Sequence, residues 1–409
     1  MINKLREKIL SHGSIIIMAL GSLLLFVSNI LLKKKLSPEE YGEYSLFITY
    51  LSLINSFGLL GCEQVFLRIS KFLKNDFIET SKRLFLSIIL IGLIFSFILS
   101  FILENYFLKN YFTLIYICTV SISLGMFQFN ILRLNAEFLN AQILGNSWRI
   151  ILGVLVFTLL INSFSIDFTV LIYVLTFVIF LSVLISGIYI LKRIRFVFKI
   201  DHSSSTLLKY SFHFFIALST LSLIGNIDKF YIEFEFGKKQ LGDYFYLANL
   251  FIFPFSLLQS YVGFKELVHF KNNFNKEVLN KKIEKINVFG IALGFLLVFL
   301  NYILFRLNFL DVDLSSYWLL VFFFILTGVL KLNYAIQSSV FGAIGEISTI
   351  KLANFQSLIL IFLLGLVFIL VLPKKIEYVG LAVFFLWLSR VCIWKFNINK
   401  QLKKNEFEV

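Results

Sequence analysis

Apolar residues in this chain neither alternate, as on a half-buried strand, nor recur at the three-and-four spacing of a surface helix. They run on without interruption. Twelve such runs lie at 14–32, 42–66, 84–103, 111–131, 148–162, 168–190, 211–236, 244–264, 286–305, 317–340, 351–372 and 379–396. Most are about 20 residues long, the length an α-helix needs to cross the hydrocarbon core of a bilayer; the fifth is short. A transmembrane β-barrel would show short alternating segments instead. Six runs precede Lys192 and six follow Lys209. Between them LKRIRFVFKIDHSSSTLLKY reads as a basic connector. The pattern predicts an all-α polytopic membrane protein of about twelve transmembrane helices, in two bundles over residues 1–200 and 201–409.

The polar interruptions add an internal echo. Ser37-Pro38-Glu39-Glu40-Tyr41-Gly42-Glu43-Tyr44 reads as a short turn between two apolar runs, and Gly237-Lys238-Lys239-Gln240-Leu241-Gly242-Asp243-Tyr244 stands in the same setting. Gly42 and Gly242 are 200 residues apart, each followed by an acid and a tyrosine. The shared position, spacing and flanking hydropathy predict two related halves.

Composition agrees. The 409 residues are 59% hydrophobic and 15% charged, with mean hydropathy +0.87, whereas soluble domains carry roughly a quarter charged residues. The net charge of +14 suits nucleic acid in a soluble protein, but here basic loops orient the chain. With the N-terminus inside, inner segments outnumber outer ones in Lys and Arg by roughly three to one, so both termini are expected in the cytoplasm. Lys33-Lys34-Lys35 departs from that rule. Cys62, Cys118 and Cys392 lie in or beside apolar runs and read as packing residues, not a disulfide framework. No cleavable signal is evident, and the first run reads as a retained span. The basic stretch Lys265–Lys285 is expected to form an amphipathic helix at the membrane face.

LSPEEYGEYSLF followed by FGLLGCEQVFLRIS resembles the polysaccharide biosynthesis (O-antigen) flippases of the multidrug/oligosaccharidyl-lipid/polysaccharide exporter superfamily. Gly225-Asn226-Ile227-Asp228-Lys229 before Leu241-Gly242-Asp243-Tyr244 is similar to the second half of such proteins. The specific motifs cover about 33 residues in one half and about 25 in the other; the architecture covers the chain. The resemblance implies two six-helix bundles around a central cavity lined by spans 1, 2, 7 and 8, working by alternating access in a bacterial inner membrane. It implies an undecaprenyl-diphosphate-linked oligosaccharide as substrate, membrane lipids as surroundings, and a polysaccharide polymerase and chain-length regulator as candidate partners. Lipid II flippases usually have two further helices, for which there is no room here.

Several polar side chains share helical faces. Ser45, Thr49, Ser52, Ser56 and Glu63 line one face of the second run; Ser219, Ser222, Asn226, Lys229 and Glu233 line one face of the seventh. Lys331, Tyr334 and Ser338 do so in the tenth, with Asn333 and Gln337 adjacent. The hydroxyls fit helix packing. Ionisable groups are another matter, because a central charge costs roughly 2.5–3.5 kcal/mol on insertion scales and must face a cavity or partner. Lys229 and Lys331 are therefore candidate ligands for an anionic diphosphate. Asn226 and Tyr334 would serve its oxygens, and Asp228, Glu63 and Arg68 complete the candidate substrate-binding set. Asp228 and Lys229 point about 100° apart on a helix, so each is expected to find its partner on another helix. Arg133 and Glu137 are spaced as an i, i+4 pair. Pro254 predicts a bend in the eighth run, and Gly290 with Gly294 a packing seam. His213 reads as interfacial.

Soluble-enzyme chemistry finds no support: the chain has no P-loop, His-Glu-x-x-His, Cys-x-x-Cys or Gly-x-Gly-x-x-Gly, and no cofactor is expected. The loop acids Asp311 and Asp313 sit in a segment too short for a catalytic pocket. A multidrug or cation exporter remains a rival, with a cavity expected to be acidic. A membrane polymerase is a weaker one, since polymerases carry a large outer loop.

Overall fold

The computed structural model describes residues 2–72, 77–135, 137–161, 166–197, 204–272, 274–307, 310, 312, 314–371 and 373–407. The chain divides into two compact units, Met1–Ser222 and Leu223–Val409. The first holds α1 (Ile2–Lys35), α2 (Pro38–Phe57), α3 (Cys62–Ile69), α4 (Lys82–Tyr106), α5 (Phe112–Leu134), α6 (Phe138–Ile161) and α7 (Phe168–Leu191). Helix α8 (Ser204–Phe236) contains the boundary. The second unit continues with α9 (Lys238–Phe251), α10 (Phe253–Asn272), α11 (Lys276–Arg306), a 3-10 turn at Leu314–Tyr317, α12 (Trp318–Ile344), α13 (Ile347–Val371) and α14 (Ile376–Phe407).

Among the described residues ten helices are long and apolar enough to cross a membrane, or eleven if α9 and α10, bent by 47°, form one span. The remaining expected span, 42–66, is α2 with α3. Glu39, Glu40, Glu43 and Asn55 lower the hydropathy of α2, and Leu60 and Gly61 break the span with positive φ of 51° and 75°. The bend between α9 and α10 falls at Ile252, just before Pro254, as the proline predicts.

The echoed segments are helix starts rather than turns. Helix α2 begins at Pro38 behind the N-cap Ser37, whose hydroxyl accepts from the Glu40 amide while the Glu40 carboxylate accepts from the Ser37 amide. Helix α9 begins at Lys238 behind Gly237, at φ 84°, a backbone region that favours glycine. Gly42 and Gly242 therefore sit, buried, within the first turns of their helices.

In the first unit α5 packs on α4, α6 and α7, and α1 lies along α6. Phe66, Phe85 and Phe127 form its aromatic centre, the Phe66–Phe127 centroids 4.7 Å apart. A small sheet pairs β1 (Lys71–Phe72) antiparallel with β2 (Ile78–Ser81), and β2 parallel with β3 (Ile194–Val197). Part of the basic connector is thus a strand of this unit; the linker residues 198–203 lie outside the described residues, as do Asp311 and Asp313.

In the second unit α12 is central, against α10, α11 and α14. The seam expected at Gly290 and Gly294 is present: added Cβ atoms there would meet Val329 and Ile325 of α12 at 3.1 and 2.3 Å. Large apolar side chains on the outer faces of α11 and α13, including Phe295, Phe362 and Leu370, are exposed, as on helices whose solvent is lipid.

Two local expectations are overturned. Lys265–Lys285 is no separate surface helix: it spans the end of α10 and the start of α11, which Asn275 caps by accepting from the amides of Glu277 and Val278. Glu137 pairs with Arg193, not Arg133, and also accepts from Tyr189 at 2.6 Å. Helix α5 ends before Glu137, at Asn135, so i, i+4 geometry does not apply across that corner.

Candidate functional site in the C-terminal unit

In the second unit α8 places Asp228 and Lys229, α12 places Lys331 and α14 places Arg390. On α8, Lys229 lies one turn beyond Gly225 and its ammonium donates to the Gly225 carbonyl at 3.0 Å. It also reaches its neighbour, Asp228 Oδ1, at 3.2 Å. That pairing corrects the expectation of separate partners. The 100° between adjacent Cβ atoms is real, but the four-carbon lysine stem is long enough to fold back across it. Asp228 does also find a partner on another helix, accepting from the Tyr244 hydroxyl of α9 at 2.6 Å. Both Asp228 and Tyr244 are buried.

Lys331, from the middle of α12, donates to Ser256 Oγ of α10 at 2.9 Å. Its ammonium also stands over the Trp387 ring of α14, 5.2 Å from the centroid. Asn226 is half-buried one turn before Lys229. Near Lys331 on the same helix, Gln337 donates to Asn333 at 2.9 Å and Asn333 to Asn287 of α11 at 3.2 Å.

Tyr334, one turn beyond Lys331, is buried and accepts at 3.1 Å from Arg390 Nη2 of α14. The same nitrogen donates to Asn354 Oδ1 of α13 at 2.8 Å. Arg390 is 2% exposed and its guanidinium lies 4.7 Å from the Trp394 ring centroid. This cation is not among the residues singled out from the sequence. Trp387, Arg390 and Trp394 fall at i, i+3 and i+7 on one face of α14, and that aromatic–basic spacing is the signal that could have found it. Arg149 of α6, likewise not singled out, donates inside the first unit to Asn146 at 3.2 Å.

The other two candidates stand in the first unit. Glu63, in the first turn of α3, is 3% exposed and its Oε2 has no hydrogen-bond partner. Arg68, in the last turn, is exposed and lies over the Phe214 ring at 4.7 Å. They do not pair with each other.

The second unit thus holds Lys229, Lys331 and Arg390 on membrane-spanning helices, with Asp228 bound by Lys229 and Tyr244. Hydroxyl, amide and indole groups surround them. Such a set attracts anions, and among the described residues no group of three or more His, Cys, Asp or Glu could hold a metal.

No protein-family model matches the chain, and no curated protein matches it in sequence. Solved structures do. The inward closed conformation of the lipid II flippase MurJ aligns with TM-score 0.69 at 18% identity, covering 94% of this chain and 87% of that one. The outward-facing conformation of a multidrug resistance MATE family transporter of the MOP superfamily aligns with TM-score 0.58 at 16% identity, over 97% of each chain. A eukaryotic MATE transporter aligns with TM-score 0.60 at 12% identity, over 97% of this chain and 96% of that one. This chain has the fold of the MATE and MurJ transporters. It is an all-α, multi-pass membrane protein, as the hydropathy pattern predicted.

Proposed function

We propose that this protein is a flippase. It moves an undecaprenyl-diphosphate-linked oligosaccharide, an O-antigen-type repeat unit, from the inner to the outer leaflet of a bacterial inner membrane by alternating access. Both termini are cytoplasmic in this reading. One observation carries it: Lys229 and Lys331, two ammonium groups on membrane-spanning helices of one unit. At an effective dielectric near 20, a unit anion 4 Å from a unit cation gains about 4 kcal/mol. Fixed cations thus offset part of the cost of moving a diphosphate through a low-dielectric layer. The resemblance to a lipid II flippase in fold supports the same reading. With no ATP-binding motif in the sequence, the energy comes from an ion gradient, from substrate supply, or from both. A polysaccharide polymerase and its chain-length regulator would take up the product.

A multidrug exporter is the second reading, favoured by the MATE likeness and by the buried Asp228. The two are separated by complementation in a bacterium lacking its own repeat-unit flippase. The flippase reading expects restored surface polysaccharide, lost on Lys331→Ala at unchanged protein abundance. Efflux of cationic dyes with no surface polysaccharide would replace it with the exporter.

A further inference from the structure

Arg390 is a buried cation whose charge no acid answers. Among the described residues no carboxylate pairs with it, and a single nitrogen, Nη2, makes both of its hydrogen bonds. Its Nε and Nη1 are buried and have no partner. The same is true of the indole nitrogens of Trp387 and Trp394, which flank Arg390 on one face of α14 and are 2% and 6% exposed. The three side chains and Tyr334 form one contact cluster. Tyr334 lies 5.0 Å from Trp394 and 5.7 Å from Trp387 between ring centroids, and the guanidinium lies 5.4 Å from the Tyr334 centroid. Beyond Trp387 stands the Lys331 ammonium, adding to the positive potential.

An uncompensated buried charge and four unmet donor nitrogens are each costly, and aromatic faces recover only part of that cost. We propose that this cluster is a small-anion site inside the C-terminal unit. A monovalent anion of the halide class would be held there by Arg390 Nε and Nη1 and by the Trp387 and Trp394 indole N–H groups. One negative charge neutralises one guanidinium, and a halide accepts from several donors without needing donors of its own. The near-complete burial of all three side chains favours a bare ion over a phosphate ester carrying a lipid or sugar. The site is thus distinct in ligand from the substrate contacts proposed for Lys229 and Lys331.

The test uses the full chain purified in detergent, with sodium gluconate as the reference at matched ionic strength. Sodium chloride or bromide should raise the melting temperature saturably, because binding to the folded state alone stabilises it. Bromide should quench tryptophan fluorescence along the same saturation curve. In Trp394→Phe, which keeps a ring and removes one donor, halide affinity should fall about tenfold, the effect of losing one hydrogen bond to a charged partner. Arg390→Gln should abolish the saturable response. Equal melting temperatures for the wild type in chloride, bromide and gluconate would overturn the proposal without reference to any variant. So would stabilisation by phosphate but not by halides, or a halide response unchanged in Trp394→Phe.

Discussion

The Tyr244 hydroxyl donates a 2.6 Å hydrogen bond to the Asp228 carboxylate. Two hundred residues earlier, the Tyr44 hydroxyl donates to the Asn29 side-chain oxygen at 2.7 Å. In each half, the tyrosine that follows the Gly-acid pair ties the helix it opens to the helix before it. The partner has changed from a neutral amide to a carboxylate. This difference introduces a buried charge into the second unit, and Lys229 answers it.

The change of partner has a measurable consequence. Hydrogen bonds to charged groups contribute about 1.5–3 kcal/mol and neutral ones about 1 kcal/mol. Tyr244→Phe should therefore lower stability more than Tyr44→Phe. Thermal unfolding of the two purified variants checks this, and equal losses would mean that the Asp228 bond carries no extra weight.

The packing of α12 predicts a graded glycine series. At Gly328 a Cβ would meet the Phe255 ring at 2.4 Å, so the ring must shift and Gly328→Ala should cost about 1–3 kcal/mol. At Gly365 an added Cβ meets nothing within 4 Å. Gly365→Ala should be neutral or stabilising by up to about 1 kcal/mol, the helix-propensity difference. Melting temperatures of the pair test whether the α10–α12 contact is as close as described.

Topology follows from the distribution of basic residues. Reporter fusions after Lys404 should report cytoplasm, and fusions near Gly42 and Gly242 periplasm. A cytoplasmic signal near one of these glycines and a periplasmic signal near the other would break the relation between the halves.

What the sequence made legible was set by long-range averages: apolar run length, the 200-residue echo and the shared faces of Lys229 with Asn226 and of Lys331 with Tyr334. What escaped depended on the reach and setting of single side chains. Helical angles separate Asp228 from Lys229, yet a flexible stem closes the gap. Spacing joined Arg133 to Glu137, yet the helix stopped between them and Arg193 took the acid. Arg390 lies within the last apolar run, close to Lys395 and Lys400. Only the packing of α12, α13 and α14 reveals it as a core residue. Arg68, placed in the candidate set with Glu63, is an exposed side chain over the Phe214 ring.

The central claim is that this protein carries a lipid-linked diphosphate across the bilayer and that Lys331 handles its charge. Lys331 separates that role from folding better than Lys229, whose removal would strip Asp228 of the ammonium it pairs with. The decisive measurement is leaflet transfer of a fluorescent undecaprenyl-diphosphate oligosaccharide in vesicles reconstituted with the purified protein, read by a membrane-impermeant quencher. The account predicts transfer well above protein-free vesicles and at least about tenfold slower transfer with equally reconstituted Lys331→Ala, the effect of removing about 1.4 kcal/mol of transition-state stabilisation. Transfer by the wild type no faster than in empty vesicles, or transfer by Lys331→Ala as fast as by the wild type, would contradict it.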